Sequence, residues 1–508
     1  MAQDQEPFHI IIAGGGLVGL SAAHIFDSLA AELAAVPGAR KVKFTVLEAH
    51  DTVTPFIGSL LLLYPPSFRI YDQLGLLSAI NGVVDDIDKT VTFTAETGAV
   101  RYVDESLAEL VQRRHGHQFK VLHRPRLAEC LYHGLSDEAR ANVLLGKRVM
   151  NVKTDGGAGV EVICQDGTVI KGDILIGADG VRSRVRSNMQ RLKAASDGRE
   201  AKDQKPSTNE SPYIASYRLL FGNVPVLEGL PIGVNWEGAG DGISTQILTG
   251  SKQAWWALYE QLPEPTSKHS KYDEEDKARV IARWGDVYMA PGYKLRDVLE
   301  HNSGAIGLIN LEEGMVEEWT WDRVVLVGDA VRKVEPHAGL GFNQGLTDIV
   351  TLANKLHGLL LEKPDPRTGD LAAVFGEYQA ERHETLHTID RMSRRRARQV
   401  GWPNGGYRWF ATWVLPYAPL ARVGLEYVMG PIMARAPVAA WLRETSLPAH
   451  EVEYETYGAA DDEKKRARTR KAVAVRAQGS GSYGLTLGTA TILLAGLTAV
   501  GLRYYRRI

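Results

Sequence analysis

The chain is poor in cysteine. It holds two, Cys130 and Cys164, among 508 residues. That excludes a disulfide framework and suits a reducing compartment. No Cys/His cluster has the spacing of a zinc site, so no metal is expected. Net charge is also missing: 59 basic against 61 acidic residues leave a formal −2. A balance this close gives no global pull toward nucleic acid. The first eight residues, MAQDQEPF, are polar and acidic, and this is not the pattern of a secretory signal.

What is present is glycine in two clusters. The run Phe8–Ala13 reads as a buried strand. It is followed by GGGLVG and then by Leu17–Ala35, a helix by its apolar spacing. Lys43–Glu48, KFTVLE, reads as a second strand, so strand, glycines, helix and strand begin a Rossmann-like unit. In Gly14-x-Gly16-x-x-Gly19 the first glycine permits a tight turn and the second lets backbone amides approach a pyrophosphate. The third allows helix and strand to pack closely. The carboxylate of Glu48, at the end of the second strand, is placed to hold ribose hydroxyls, which favours FAD or NAD over NADP. More than 300 residues later, Val324–Val327 runs into GDAVRKVEPHAGLGFNQG, with a helix expected to about Leu361. Between them lies GADGVRSRVR, containing Asp179.

Further elements follow from the apolar pattern. Helices are expected at Ser67–Leu77, Arg124–Leu131, Ala278–Trp284 and Phe375–Arg398, and a strand at Phe119–Leu122. Lys147–Asp155 and Gly159–Cys164 form a hairpin, and Ile174–Ile176 is a short buried strand. Tyr213–Gly222, Ile243–Leu248 and Ala254–Leu258 are strands, the last two joined by a turn. Residues 188–212, rich in Lys, Asp, Ser and Asn, read as a surface loop. Trp255 and Trp256 pack a sheet, and the histidines, His337 included, read as structural or exposed.

The C-terminal stretch differs in character. Residues 477–502 carry no charge, and Leu485–Leu502 is apolar or small throughout. Eighteen residues at ~1.5 Å each reach roughly 27 Å, enough for a bilayer core. Seven Lys/Arg lie between Lys464 and Arg476. The expectation is a single-pass tail anchor in the endoplasmic reticulum membrane, with the bulk of the chain facing the cytosol. WFATWVLPYAPLA, starting at Trp409, is too short and too broken by proline to span. Two readings stay open for 401–445: a helical pair packed on the core, or a hairpin dipping into the interface, where its aromatic residues would be favoured.

The three motifs together resemble the group A flavoprotein monooxygenases, single-component FAD hydroxylases. Those carry GxGxxG, a DGxxSxxR motif and a GDAxxxxxPxxGxGxN motif. Here the second reads DGVRSRVR, with Ser183 and Arg186, and the third fills every fixed position. The resemblance runs from residue 8 to about 400. HRPRLAECLY, PPSFRIYDQLGL and YRLLFG are similar to the fungal membrane-bound epoxidase branch of meroterpenoid and indole-diterpene pathways. The resemblance implies an α/β fold in which a glutathione-reductase-like FAD domain (8–190 and 322–400) is interleaved with a mixed-sheet substrate domain (213–321). C-terminal helices (401–445), a linker (446–484) and a transmembrane helix (485–502) would follow.

The resemblance further implies that FAD lies on Gly14, Gly16, Gly19 and Glu48, with contacts from Leu62, Arg124, Asp179, Asp329, Gly341 and Phe342. Asp329 would accept hydrogen bonds from ribityl hydroxyls, and the second glycine cluster would bring a helix N-terminus to the flavin edge. NAD(P)H would be the reducing co-substrate. O₂ would yield an electrophilic C4a-hydroperoxide that epoxidises an alkene of a hydrophobic, prenylated or terpenoid substrate. Tyr217 and Arg186 are the candidate catalytic side chains. Aromatic-ring hydroxylation is the alternative, and a membrane-bound scaffold without catalysis is the alternative outside enzymes. The sequence departs from the family at Arg332, where a histidine is usual, at Leu340, where glutamine is common, and at Leu62 and Phe342, which are larger than usual.

Overall fold

A strand that is apolar on both faces must be covered on both, and Phe8–Ala13 is such a strand. Phe8, Ile10, Ile11 and Ile12 are fully buried. In the computed structural model, which describes residues 6–54, 60–154, 159–198, 210–269, 271–416 and 420–454, this strand sits inside a six-stranded sheet. The order is Thr320–Trp321, Val324–Leu326, Ile174–Gly177, Phe8–Ala13, Val42–Leu47 and Val143–Leu144. All neighbours are parallel except the edge strand Thr320–Trp321. The helix Leu17–Ala35 packs on the sheet and against the helix Gly341–Glu362. Each fully buried aliphatic side chain here contributes about 1.5–3 kcal/mol. The two distant glycine clusters therefore share one layer, because Val324–Leu326 pairs with Ile174–Gly177, and that strand with Phe8–Ala13.

The second sheet has eight strands in the order Arg332–Lys333, Gly307–Met315, Glu210–Val224, Ala254–Lys268, Ile243–Thr249, Val234–Gly240, Lys89–Thr94 and Val100–Asp104. Alternation along its central strands sends residues to opposite faces. Leu220, Ile243, Ile247, Trp256 and Leu258 face a core with Val280, Leu295 and Val298 of two helices. Tyr217, Leu219, Tyr259 and Leu311 face the other way and meet Ala397 of the long helix Thr368–Gly401.

Several elements depart from expectation. The substrate-side sheet is not confined to 213–321: it draws two strands from residues 89–104 and one from 332–333. KTVTFT joins the sheet through Val234–Gly240, far away in sequence, and brings its hairpin partner Val100–Asp104 with it. The polar stretch from 188 is not a loop throughout. Its first part, 188–196, lies in a helix, Arg184–Ser196, whose N-terminus is capped when the Ser183 hydroxyl accepts from the Arg186 amide, and 199–209 lie outside the described residues. The helix expected at Ser67 begins two residues earlier, on Pro65-Pro66, since proline suits a first helical turn. Within 401–445, Gly405–Trp413 is a helix capped by Asn404, with Ala411 packed beside Val400 and Trp402. The expected linker, 446–484, lies outside the described residues from 455 on, and so does the expected anchor 485–502.

One buried carboxylate ties the layers together. Asp348, fully buried in the helix Gly341–Glu362, accepts from the Gly328 amide at 3.0 Å, from Arg332 at 2.5 Å and from Arg382 of the long helix at 2.9 Å. Removing one member of a buried ion cluster costs about 3–5 kcal/mol, because the remaining charges stay buried without a partner. Asp348→Asn should therefore lower unfolding stability by about that amount in a denaturant titration. A variant within about 0.5 kcal/mol of the wild type would show that Asp348 does not hold the layers.

Candidate active site

At the first glycine cluster the three glycines differ in what surrounds them. Gly14 has φ +105°, and a Cβ there would lie 2.5 Å from the Ala178 carbonyl oxygen. At Gly19 a Cβ would lie 1.8 Å from the Gly14 carbonyl oxygen. Both glycines are required by close packing. At Gly16 nothing lies within 4 Å of a Cβ, so its side-chain space is open. Gly16 also precedes the helix Leu17–Ala35, which has no side-chain cap and no acidic residue in its first turn. The free amides and the helix dipole leave a place suited to an anion. Glu48 stands beside it. One of its oxygens accepts from the Gly15 amide at 2.7 Å, and the other from the His50 amide and ring.

The second cluster arrives at the same region. Gly328 has φ +61°, and a Cβ on Gly345 would come within 2.7 Å of Val18 in the first helix. Helix Gly341–Glu362 also starts without a side-chain cap or an acidic first turn. Gly341 and Phe342 are half-buried at that start. Asn343 joins this turn to the strand Leu60–Leu63. Its amide donates to the Leu62 carbonyl at 2.8 Å, and its oxygen accepts from the Tyr64 amide and the Ser67 hydroxyl. Leu62 packs on Gly339, where a Cβ would lie 2.7 Å from its own Cβ. The larger residue is thus accommodated by a glycine in left-handed conformation, φ +63°.

Asp329 is held by Lys333, which donates to it at 2.6 Å. Burial would raise its carboxyl pKa, but Lys333, Arg332 and Arg124 outweigh burial and hold it below the usual carboxylate range. Arg124, exposed at the head of the helix Arg124–Gly134, is thereby brought near Asp329. Asp179 is used differently. It accepts from the Ser183 hydroxyl and from the Arg184 and Val185 amides, so it shapes the DG turn. Burial pushes its carboxyl up in spite of those bonds.

The two candidate catalytic side chains are both buried. Arg186 donates to the carbonyls of Val181 and Ala330 and to the Tyr213 hydroxyl, which in turn donates to the Asp329 carbonyl. The structure gives Arg186 a positioning role: it ties the DG turn to the GD turn. Tyr217 packs on Ala397, and a Cβ on Gly401 would lie 3.3 Å from its hydroxyl. Burial pushes that phenol up to about 12, and it has no hydrogen-bond partner among the described residues. Beside it Tyr259 stacks on His337 with ring centres 3.8 Å apart. His337 bonds to Glu335 and to Ser244, a grouping the sequence reading passed over because its members are up to 93 residues apart. A cleft of about 610 Å³ elsewhere, lined by Lys89, Val100, Val103 and Trp236, shares no residue with these motifs.

Two uncapped helix starts, an open position at Gly16, a carboxylate beside it and a second carboxylate at Asp329 fit a long cofactor with a pyrophosphate in its middle. The family described as an FAD binding domain matches residues 8–202 and 257–389. The chain is 32% identical to the FAD-dependent monooxygenase srdH of Neurospora crassa, over 81% of this chain and 91% of that one. The chain belongs to the FAD-dependent monooxygenases. It is also 29% identical to the FAD-dependent monooxygenase ausM of Penicillium brasilianum, over 78% of this chain and 80% of that one. Among solved structures, Klebsiella pneumoniae HpxO complexed with FAD and uric acid superposes with a TM-score of 0.63 at 20% identity, covering 84% of this chain and 95% of that one. A salicylate hydroxylase substrate complex gives 0.61 at 16% identity, covering 85% and 99%. These two similarities show the fold.

FAD is therefore the cofactor, and when bound it supplies oxygen activation and transfer. The protein's part is to bind and orient it. Gly16 and the first helix would face the pyrophosphate, Glu48 the ribose, Asp329 the ribityl chain, and the start of Gly341–Glu362 the flavin edge. Gly16 gives a clean test, because its φ of −71° suits alanine and the protein leaves room for a methyl group. Gly16→Ala should keep the wild-type melting temperature yet lose most FAD uptake, measured by flavin absorbance after gel filtration. Gly14→Ala should lose folded protein instead, since both its φ and its clash forbid a side chain. Full FAD uptake by Gly16→Ala would contradict the assignment.

Proposed function

We propose that this monooxygenase uses NAD(P)H and O₂ to epoxidise an alkene of a prenylated or terpenoid intermediate in secondary metabolism. The observation that carries this is the sheet face turned toward the second glycine cluster. Leu219, Leu248, Trp255, Tyr259 and Leu311 lie on it, and the two carboxylates on the same face, Glu237 and Glu313, are paired with arginines of the long helix. Arg394, Arg396 and Arg398 of the long helix are committed to Glu313 and Glu237. Arg218 alternates to the opposite face and pairs with Glu260. A carboxylate substrate would need an arginine there; an apolar one does not. The fungal FAD-dependent monooxygenases of similar sequence support a secondary-metabolite setting.

Aromatic-ring hydroxylation is the second reading. The Glu335–His337–Ser244 grouping favours it, because a base beside the site suits a phenol.

We also propose that the enzyme is held at the endoplasmic reticulum membrane by residues 485–502, with its catalytic part in the cytosol. Trp409, Trp413 and Tyr427 support an interfacial contact: they are 59%, 64% and 71% exposed, and such rings favour the membrane–water boundary.

The detergent-solubilised full chain, given NADPH or NADH and a prenylated phenol, should yield a product one oxygen heavier that hydrolyses to a diol. A product that keeps its alkene and gains a ring hydroxyl would move the assignment to ring hydroxylation. Cofactor oxidation with no oxygenated product across such probes would contradict both. In liposome flotation the full chain should rise with the lipid, and a chain ending at residue 476 should lose most of that binding. Equal flotation of the two would contradict the anchor.

A further inference from the structure

The short helix Pro65–Gln73 buries polar groups whose partners are not its neighbours in sequence. Every residue from Pro65 to Asp72 is buried, and Arg69 and Asp72 are among them, at 1% and 6% exposure. Two charges in such a place are costly unless both are paired. Their partners, and those of Gln73, come from one stretch of chain 366 to 375 residues further along. Arg69 donates through Nε and Nη2 to the two oxygens of Glu444, at 2.6 and 3.0 Å. Asp72 accepts from the Thr445 amide at 2.5 Å and hydroxyl at 2.9 Å, from the Ser446 amide at 3.0 Å, and from the Ser446 hydroxyl. The Gln73 amide donates to the Ala439 and Leu442 carbonyls, and its oxygen accepts from the Ala439 amide at 2.9 Å.

Residues 438–446 contain neither helix nor strand, so their backbone groups must be satisfied from outside. Besides Pro65–Gln73, they are tied to both helices that begin at the cofactor site. Asn354 of the helix Gly341–Glu362 donates to the Val438 carbonyl at 2.9 Å and accepts from the Ala440 amide at 2.8 Å. The Trp441 indole donates to the Ser28 hydroxyl of the helix Leu17–Ala35 at 3.2 Å. Further along, the Arg69 guanidinium lies 3.7 Å from the centre of the Tyr454 ring, whose hydroxyl donates to the His115 carbonyl.

The other end of Pro65–Gln73 reaches the second glycine cluster. The Tyr64 amide and the Ser67 hydroxyl donate to Asn343, and the Tyr64 hydroxyl donates to the Ala338 carbonyl at 2.5 Å. One helix thus carries the flavin-edge strand Leu60–Leu63 at its start and the late stretch at its end.

We propose that residues 438–446 are a strap that positions FAD: by seating Arg69 and Asp72 they fix the helix Pro65–Gln73, and with it the strand Leu60–Leu63 over the flavin edge. Arg69, Asp72 and Glu444 are positioning residues, acting through Leu62 and Asn343. The coupling follows from charge. With the strap lifted, Arg69 and Asp72 would be buried without partners, and the helix could not keep its place. Seating the strap and placing the helix are therefore one event. Asp72 shows how firmly it is held: burial would raise its carboxyl pKa, but the bonds from Ser446 and Thr445 outweigh burial and hold it below the usual range. Because the strap also bonds the helices Leu17–Ala35 and Gly341–Glu362, it keeps their two N-termini, one for each end of the cofactor, at one spacing. None of this depends on which substrate the enzyme takes.

The test uses the FAD-loaded full chain. Thr445→Val combined with Ser446→Ala removes both hydroxyl donors to Asp72 and keeps both amide donors, so no charge is stranded. FAD release, followed by flavin fluorescence, should be about tenfold faster, the equivalent of two lost hydrogen bonds. The fluorescence anisotropy of the flavin that stays bound should fall as its ring gains freedom. Asp72→Asn should act in the same direction, and Thr445→Ser, which keeps the hydroxyl, should release FAD like the wild type. Val298→Ala separates positioning from general stability. It opens a small cavity in the core of the second sheet, away from the strap, and should lower the melting temperature while leaving FAD release within about twofold of the wild type. A Thr445→Val, Ser446→Ala chain that holds FAD as tightly as the wild type would overturn the proposal. So would a Val298→Ala chain that releases FAD as fast at an equal fall in melting temperature, since the strap would then support only the fold.

Discussion

The buried carboxylate of Asp348 is the constraint on which the site depends. It takes the Gly328 amide on one side and two guanidinium groups, Arg332 and Arg382, on the other. In the apolar interior such a carboxylate is tolerable only with all of those partners present. Its placement fixes the GD turn against the helix Gly341–Glu362 and fixes both against the long helix. Arg332, which replaces the histidine usual in the resembling family, is thereby explained: it is a structural cation that completes this cluster. Tyr378 closes the same region by donating to the Leu326 carbonyl.

From that anchor the rest of the site follows by proximity. Once the GD turn is fixed, Ala330 offers its carbonyl to Arg186 and Asp329 offers its carbonyl to Tyr213, which brings the DG turn in. Once helix Gly341–Glu362 is fixed, Asn343 can clamp the strand Leu60–Leu63 from the other side. The glycines make these approaches possible: a methyl group on Gly345 would strike Val18 at 2.7 Å. The result is two helix N-termini with unpaired amides at one place. Each favours negative charge on its own, and together they suit an anionic cofactor with one end at each helix.

Much of this was legible in the sequence, and the part that was not has a physical reason. Phe8–Ala13 and Leu17–Ala35 are read to the residue because the strand is buried on both faces and the helix runs apolar from the glycine turn onward. The three motifs are legible because glycine and aspartate are forced there by turn geometry and close approach. The strands in residues 89–104 were missed because Lys89–Thr94 enters the sheet through Val234–Gly240, more than a hundred residues away, and Val100–Asp104 follows as its hairpin partner. Arg186 and Tyr217 were assigned to chemistry by resemblance, yet Arg186 spends donors on protein carbonyls and Tyr217 lies under the long helix. His337 was read as ordinary because Glu335 sits within its own turn while Ser244 arrives from another sheet. Periodicity reports which face a residue takes, but it does not report what that face will meet.

The central claim is that two glycine clusters more than 300 residues apart close on one FAD. Its most direct test is the visible spectrum of the detergent-purified full chain beside that of Asp329→Ala. Asp329 belongs to the second cluster, and among the described residues its side chain hydrogen-bonds to Lys333 alone. The account predicts the absorption bands of oxidised flavin in the wild type and bands lost or strongly weakened in the variant, with both proteins folded. A variant that retains FAD as fully as the wild type would contradict it.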